Sequence, residues 1–211
     1  MYESIQSQRR SRSGNPMRGR HRQAHLAQLR DTIAASASMP LSQAEREDLC
    51  QMREEEKIAR DVYLTLFERW PLPPFGNISG SEQVHMDAML ALLEKHGLQD
   101  PARGLEIGEF RSPKMQALYA QLVAQGLNSP EDAIRVGLLI EELDIADLRA
   151  ASQRTDKPEI LAVYADLERG SRNHLRAFHR WMQRLNVSYA PAHLAREDFI
   201  AIAESGHENC H

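Results

Sequence analysis

The chain has 211 residues, 42% hydrophobic and 27% charged, enough for one folded domain with a full core plus tails. No stretch approaches the ~18 uninterrupted apolar residues of a membrane span, the opening MYESIQSQRRSRSGNPMRGRHRQ has no apolar secretory core, and Cys50 and Cys210 form neither a local clip nor a CxxC pair, which excludes a disulfide framework and a cysteine-ligated iron centre and leaves a reducing cytoplasm as the expected setting. The net charge of -4 hides an asymmetry, because seven arginines against Glu3 give residues 1–30 a charge of +6 and leave -10 for the remainder.

Residues 1–40 are expected to be a basic, flexible arm. It has no aromatic interleaving and no recognition motif, which argues against nucleic acid as a partner. Ser42 and Glu45 stand at capping-box spacing, and periodic apolar positions from Leu49 to Trp70 predict a first long helix that PLPP stops. A second helix is expected from near Ser79 to His96, with Gly97 as terminator. Residues 98–111 read as a connector containing Gly104 and Gly108. Ser112-Pro113 and Ser129-Pro130 each pair a cap with proline at the first helical position, opening a short helix over 113–125 and a long one over 130–152. The last long helix is expected from Asp156 to about Leu185, followed by a break and a short segment over 192–204 that leads to the polar tail SGHENCH. The expected fold is all-α: a four-helix bundle over 41–187 whose long crossover carries a short extra helix, the connectivity of ferritin-like bundles, with 188–211 as a short helix and tail.

Each long helix places polar residues on its apolar stripe near mid-length. The stripes run Met52, Glu56, Ala59, Tyr63 in the first helix and Ile78, Glu82, His85, Met89 in the second. They run Leu138, Glu141, Ile145 with Asp144 adjoining in the third, and Leu167, Ser171, His174, Phe178 in the fourth. Burying such groups is costly without compensation, and a metal ion is the most economical compensation. Carboxylates with imidazoles and no thiolate suit iron or manganese, bridge two cations, and leave positions for water or dioxygen. The expected ligands are Glu56, Glu82, His85, Glu141, Asp144 and His174, holding one or two ions per chain, with Glu56, Glu82 and Glu141 nearest the chemistry. A dimetal hydrolase would use similar ligands.

The segments REEEKIARDVY, SEQVHMDAM, LLIEELDIADL and GSRNHLRAF together resemble the DUF2202 family, a ferritin-like family, over roughly residues 41–185. More distantly they resemble rubrerythrin-type diiron proteins. That resemblance implies ligand roles for Glu56 in the first helix, the Glu-x-x-His pair Glu82 and His85 in the second, the paired acids Glu141 and Asp144 in the third, and His174 in the fourth. It also implies a fourth-helix glutamate where this chain has Ser171, so the second half of the site lacks an anionic ligand that Asp144 partly replaces. No rubredoxin-like cysteine module follows, so peroxide reduction would need an external electron donor.

Other residues read as structural. Glu54 and Glu55 belong to a solvated charge run, with Glu55 replacing Glu56 as ligand only under a register shift. Glu142 and Asp147 face outward, Arg60 and Arg172 pair with excess carboxylates, and His96 and His179 are surface or packing residues. Gly170 permits a kink beside Ser171. The terminal His207, Cys210 and His211 lack a rigid turn. The expected function is a ferritin-like metalloprotein that oxidises Fe(II) or reduces dioxygen or peroxide, with homodimerisation through leftover apolar surface. A metal-free helical scaffold or interaction protein is the alternative, and a dimetal hydrolase a further one.

Overall fold

The computed structural model describes residues 16–37 and 39–209, and among these the chain is entirely helical: α1 (Pro16–Ala35), α2 (Gln43–Arg69), α3 (Pro73–Lys95), α4 (Pro113–Gly126), α5 (Pro130–Ser152), α6 (Pro158–Arg184) and α7 (Arg196–Glu204). No described helix is long and apolar enough to cross a membrane. The helix starts follow local chemistry. The Ser42 hydroxyl accepts from the Glu45 amide at 3.2 Å, while the Glu45 carboxylate accepts from the Ser42 amide at 2.7 Å, the reciprocal capping box read from the spacing. Ser112 and Ser129 cap α4 and α5 ahead of Pro113 and Pro130. Gly97 takes φ +65° and closes α3.

Three elements differ from expectation. α3 opens at Pro73, not near Ser79, because Pro73-Pro74 occupy the first turn, where a missing N–H costs nothing and φ is already helical. α6 opens at Pro158 for the same reason. The basic arm, as far as it is described, is the helix α1 from Pro16. It packs on α3 and α6, buries Leu29 and Ile33, receives the Lys95 ammonium on the carbonyls of Ile33 and Ser36, and places His25 Nε2 2.7 Å from Asp166. Arg9, Arg10, Arg12, Cys210 and His211 lie outside the described residues.

α2 packs chiefly on α3 and α5 on α6, and contacts of α3 with α6 and of α2 with α5 join the two hairpins. The core between them is split. One apolar cluster includes Ala59, Tyr63, Ile78, Leu138 and Phe178, and the other includes Met52, Met89, Leu148 and Leu167. On every long helix the polar members of the stripe fall between these two sets: Glu56 between Met52 and Ala59, Glu82 and His85 between Ile78 and Met89, Glu141 and Asp144 between Leu138 and Leu148, Ser171 and His174 between Leu167 and Phe178. A polar layer thus crosses the bundle at mid-height.

α2 is buried over its whole circumference from Met52 to Ala59. The reason is the crossover, which wraps its outward side. Arg53 pairs with Asp100, donating from Nε and Nη2 at 3.1 Å each. Lys57 binds Asp61 and donates to the Glu106 carbonyl at 2.7 Å, and the Gly108 amide donates to Asp61 at 2.9 Å. Glu54 and Glu55 are therefore buried, contrary to the solvated charge run the sequence suggests.

Candidate metal centre

Within the polar layer Glu82 is the hub. One of its oxygens lies 2.8 Å from His85 Nδ1 on the next turn of α3, and the other lies 2.9 Å from His174 Nδ1 on α6. His85 Nδ1 is also 3.1 Å from Glu56 on α2, and His174 Nδ1 is 3.4 Å from Glu141 on α5. The two imidazoles stack with centroids 5.6 Å apart. Two groups of three ligand atoms result, Glu56–Glu82–His85 and Glu82–Glu141–His174, each with its atoms within 4.8 Å of one another. The two groups share Glu82.

Glu56, Glu82, Glu141 and Asp144 are all at most 5% exposed, and no lysine or arginine pairs with any of them among the described residues. Arg60 pairs instead with Asp61 and donates to Gln83, and Arg172 pairs with Glu168 and Glu208. The imidazoles are the compensating charges that remain. Burial works against every charged form, but the carboxylates Glu56 and Glu82 hold His85 well above its ordinary value, and Glu82 and Glu141 hold His174 at about 9. Burial raises Glu82 as well, yet the charges of His174 and His85 outweigh it and bring this carboxyl down to about 2. Glu141 goes the other way, to about 7, because burial and the neighbouring Glu82 exceed the help from His174. Asp144 is pushed well above its ordinary value by burial and then by Glu56 and Glu141.

The orphaned atoms test whether these residues fit a metal. Glu82 Oε1, Glu141 Oε2 and His174 Nδ1 are buried and make no hydrogen bond, although they lie close together. Their spacing gives proximity without hydrogen-bond geometry. Nine buried side-chain atoms of the described residues lack a hydrogen-bond partner; these three come from three different helices and converge, and as lone-pair donors of a borderline-to-hard type they fit a divalent cation. The remaining oxygen of Glu141 is oriented from outside the groups by Tyr63, whose hydroxyl donates to it at 2.6 Å. Tyr164 lies in the other apolar cluster and takes no part.

Asp144 belongs to neither group of three, although it is buried in the same layer. Ser171 is buried there too, with its hydroxyl donating at 3.2 Å to the Leu167 carbonyl of its own helix. Glu142 is buried but points away from the centre. It accepts from the Tyr189 hydroxyl and from the amides of Ala192, His193 and Leu194, anchoring the segment before α7. The His96 side chain lies beside Glu159, 3.3 Å away, just past the C-terminal end of α3.

Two features were not read from the sequence in these roles. Gly170 is a seat for His85: a Cβ there would stand 2.6 Å from the ring atoms Cε1 and Nε2, so only glycine lets α6 approach this imidazole. Glu55, one residue from Glu56, is buried and pushed up to about 8 by burial and then by Asp147. The glycine was visible beside Ser171, but its contact with α3 needs the helix-helix distance.

Residues 45–206 match an uncharacterized protein domain, DUF2202. The chain is 47% identical over 176 residues to the uncharacterized protein MJ0754 of Methanocaldococcus jannaschii, covering 83% of this chain and 95% of that protein. It is also similar to the crystal structure of the hypothetical protein MJ0754 from Methanococcus jannaschii, with a TM-score of 0.79 over 82% of this chain and 98% of that one.

Proposed function

The chain belongs to the DUF2202 family, and we propose that its four long helices form a ferritin-like bundle with a dinuclear iron or manganese centre in the polar layer. Glu56, His85 and Glu82 would hold one ion, and Glu82, Glu141 and His174 the other. The observation that carries this reading is the set of orphaned atoms, Glu82 Oε1, Glu141 Oε2 and His174 Nδ1, converging in a buried layer with no lysine or arginine beside them among the described residues. Carboxylate and imidazole donors without thiolate favour iron and manganese over softer metals.

When bound, two such ions supply a two-electron couple for the reduction of dioxygen or peroxide, drawing on an external electron donor. The chain's own residues set the conditions. Glu82 fixes both imidazoles through its two oxygens, and Tyr63 holds the orientation of Glu141. Asp144 lies buried in the same layer, its carboxyl pushed well above its ordinary value by burial and then by Glu56 and Glu141. The apolar clusters above and below exclude bulk water.

Elemental analysis of gently purified, untagged protein, followed by Fe(II) and Mn(II) titration of the stripped form, tests the reading. Two ions per chain are expected, one for each group of three ligands. The short contacts of Glu82 with both histidines, 2.8 and 2.9 Å, support a second reading as a metal-free scaffold whose charges compensate one another. Absence of binding under reducing conditions would decide for the scaffold. Peroxide is expected to oxidise Fe(II) added to the stripped protein faster than Fe(II) added to its Glu82→Gln variant. Equal rates would remove the case for redox chemistry and leave dimetal hydrolysis as the use of the same ligands.

A further inference from the structure

The metal layer is not sealed on every side. A cleft of about 910 Å³ opens onto His85, Gly170 and His174, running between the first half of α3 and the last half of α6, with α1 and residues 207–209 as its outer walls. That volume is in the range of small-molecule sites. Resting on the metal reading, we propose that this cleft admits an amphipathic organic anion to the centre: an apolar body lying along α3 and α6, ending in a carboxylate or phosphate held by Arg180 and Arg184.

The floor supplies the apolar half. Pro74 and Ile78 of α3 are buried, and Ala177 and Trp181 of α6 are partly buried facing the same cavity. On α6 the lining residues Gly170, His174, Ala177, Trp181 and Arg184 recur at three- and four-residue steps, so they form one continuous face leading from the ligand imidazole to the mouth. Arg180 and Arg184 follow His174 by roughly 9 and 15 Å along the helix axis. A bound molecule therefore needs a body of about that length to reach the layer while its head meets a guanidinium.

Charge decides the sign of that head. The cleft contains two acids, and both are already matched. Asp166 contacts His25 and Arg169 at 2.7 and 2.5 Å, and Glu208 is held by Arg172 and Arg176 at 2.6 and 2.5 Å. Arg180 and Arg184 are exposed and form no ion pair or hydrogen bond among the described residues; Arg184 lies over the Trp181 ring, 5.2 Å from its centroid. An uncommitted guanidinium pair at the mouth of an apolar cleft attracts a planar oxyanion and disfavours entry of a bare cation. This mouth thus suits an organic anion better than a free ferrous ion.

Calorimetric titration of the full chain with decanoate, decyl phosphate and decylammonium tests this, with metal content measured on the same samples. Saturable binding of one or both anions with little binding of decylammonium is expected, and the stronger of the two anions identifies the head group. Replacing both arginines, Arg180→Glu with Arg184→Glu, should weaken anion binding by about tenfold or more, whereas Arg154→Glu, far from the cleft, should leave it unchanged. A double Arg180→Ala, Arg184→Ala variant should weaken it in the same direction, so that loss of folding in the glutamate variant does not decide the matter. No saturable anion binding, equal binding of decylammonium, or anion binding indifferent to both double variants would overturn the proposal. Anion binding by protein that takes up no metal would leave the cleft assignment standing and remove the metal reading. Two bound ions without anion binding would do the reverse.

Discussion

On the outer side of α2, Lys57 and Asp61 are buried beneath the crossover with their charges answered: lysine meets aspartate and a backbone carbonyl, and aspartate also meets Arg60 and the Gly108 amide. On the inner side, one residue from Lys57, Glu56 enters a layer where carboxylates outnumber imidazoles and three ligand atoms, on Glu82, Glu141 and His174, stay without hydrogen bonds. Both regions bury charge in the same helix. The Lys57–Asp61 pair is matched within the chain and holds the crossover against α2. The inner region is electrostatically open, and that incompleteness is what supports the proposed cation site. Burial of charged residues alone does not reveal function; the difference lies in whether the partners are supplied by the chain.

Substitutions can break this comparison, beginning with the largest effect. Asp61→Ala strips Lys57 of its buried partner and is expected to cost about 3–5 kcal/mol in urea unfolding, while metal uptake by the folded fraction persists. A mild loss would mean that the outer pair is not desolvated as its burial implies. Glu82→Gln is the matching change inside. It should abolish uptake at both positions yet cost the stripped protein only about 1–3 kcal/mol, since the shape is kept and only hydrogen-bonding charge is lost. Unchanged metal stoichiometry would remove Glu82 as the shared ligand. Gly170→Ala should cost about 1–3 kcal/mol by crowding His85, and lower metal affinity with it. Full occupancy would show that the imidazole moves without consequence.

A pH series sharpens the contrast more gently. His174, held at about 9, contributes stability that is full below its unfolded value of 6.5 and is lost as pH rises toward 9. Glu141 and Glu55, raised from 4.5 to about 7 and about 8, act in the same direction, because the unfolded chain ionises them before the folded one does. Glu82 opposes this only at acid pH: held at about 2, it gives stability that is present above 4.5 and lost as pH falls toward 2. The Tm of stripped protein should therefore decline from about pH 5 to pH 9, and metal loading should flatten the decline by replacing protons. Parallel curves for stripped and loaded protein would place the metal elsewhere. Ser171→Ala is expected to have the smallest effect, under about 1 kcal/mol, with no change in metal content, because its hydroxyl serves its own helix.

Much of this was legible in residue order. The caps Ser42, Ser112 and Ser129, the terminator Gly97 and the stripe positions of Glu56, Glu82, His85, Glu141 and His174 depend on neighbours within a few residues, which sequence reports directly. What was not legible depends on partners remote in sequence. Glu55 is buried because other elements cover α2, and Glu142 is buried because amides some 50 residues later fold onto it. Helix α1 was hidden by composition, since its arginine-rich surface outweighs the few apolar residues, Leu29 and Ile33, that dock it. Asp144 shows the limit of periodicity: it lies one turn from Glu141 and in the same layer, yet in neither group of three ligand atoms.

Glu82 also divides the centre by assembly order. Glu56, Glu82 and His85 all belong to the α2–α3 hairpin, and the Glu56–His85 contact closes a loop of 29 residues, so this half can form as soon as that hairpin zips. Glu141 and His174 arrive on the other hairpin, and the Tyr63–Glu141 contact spans 78 residues. On the proposed dinuclear reading the second ion position would be a clasp between two folding units, and occupancy there would stabilise their docking by mass action, whereas occupancy of the first would stabilise one hairpin alone.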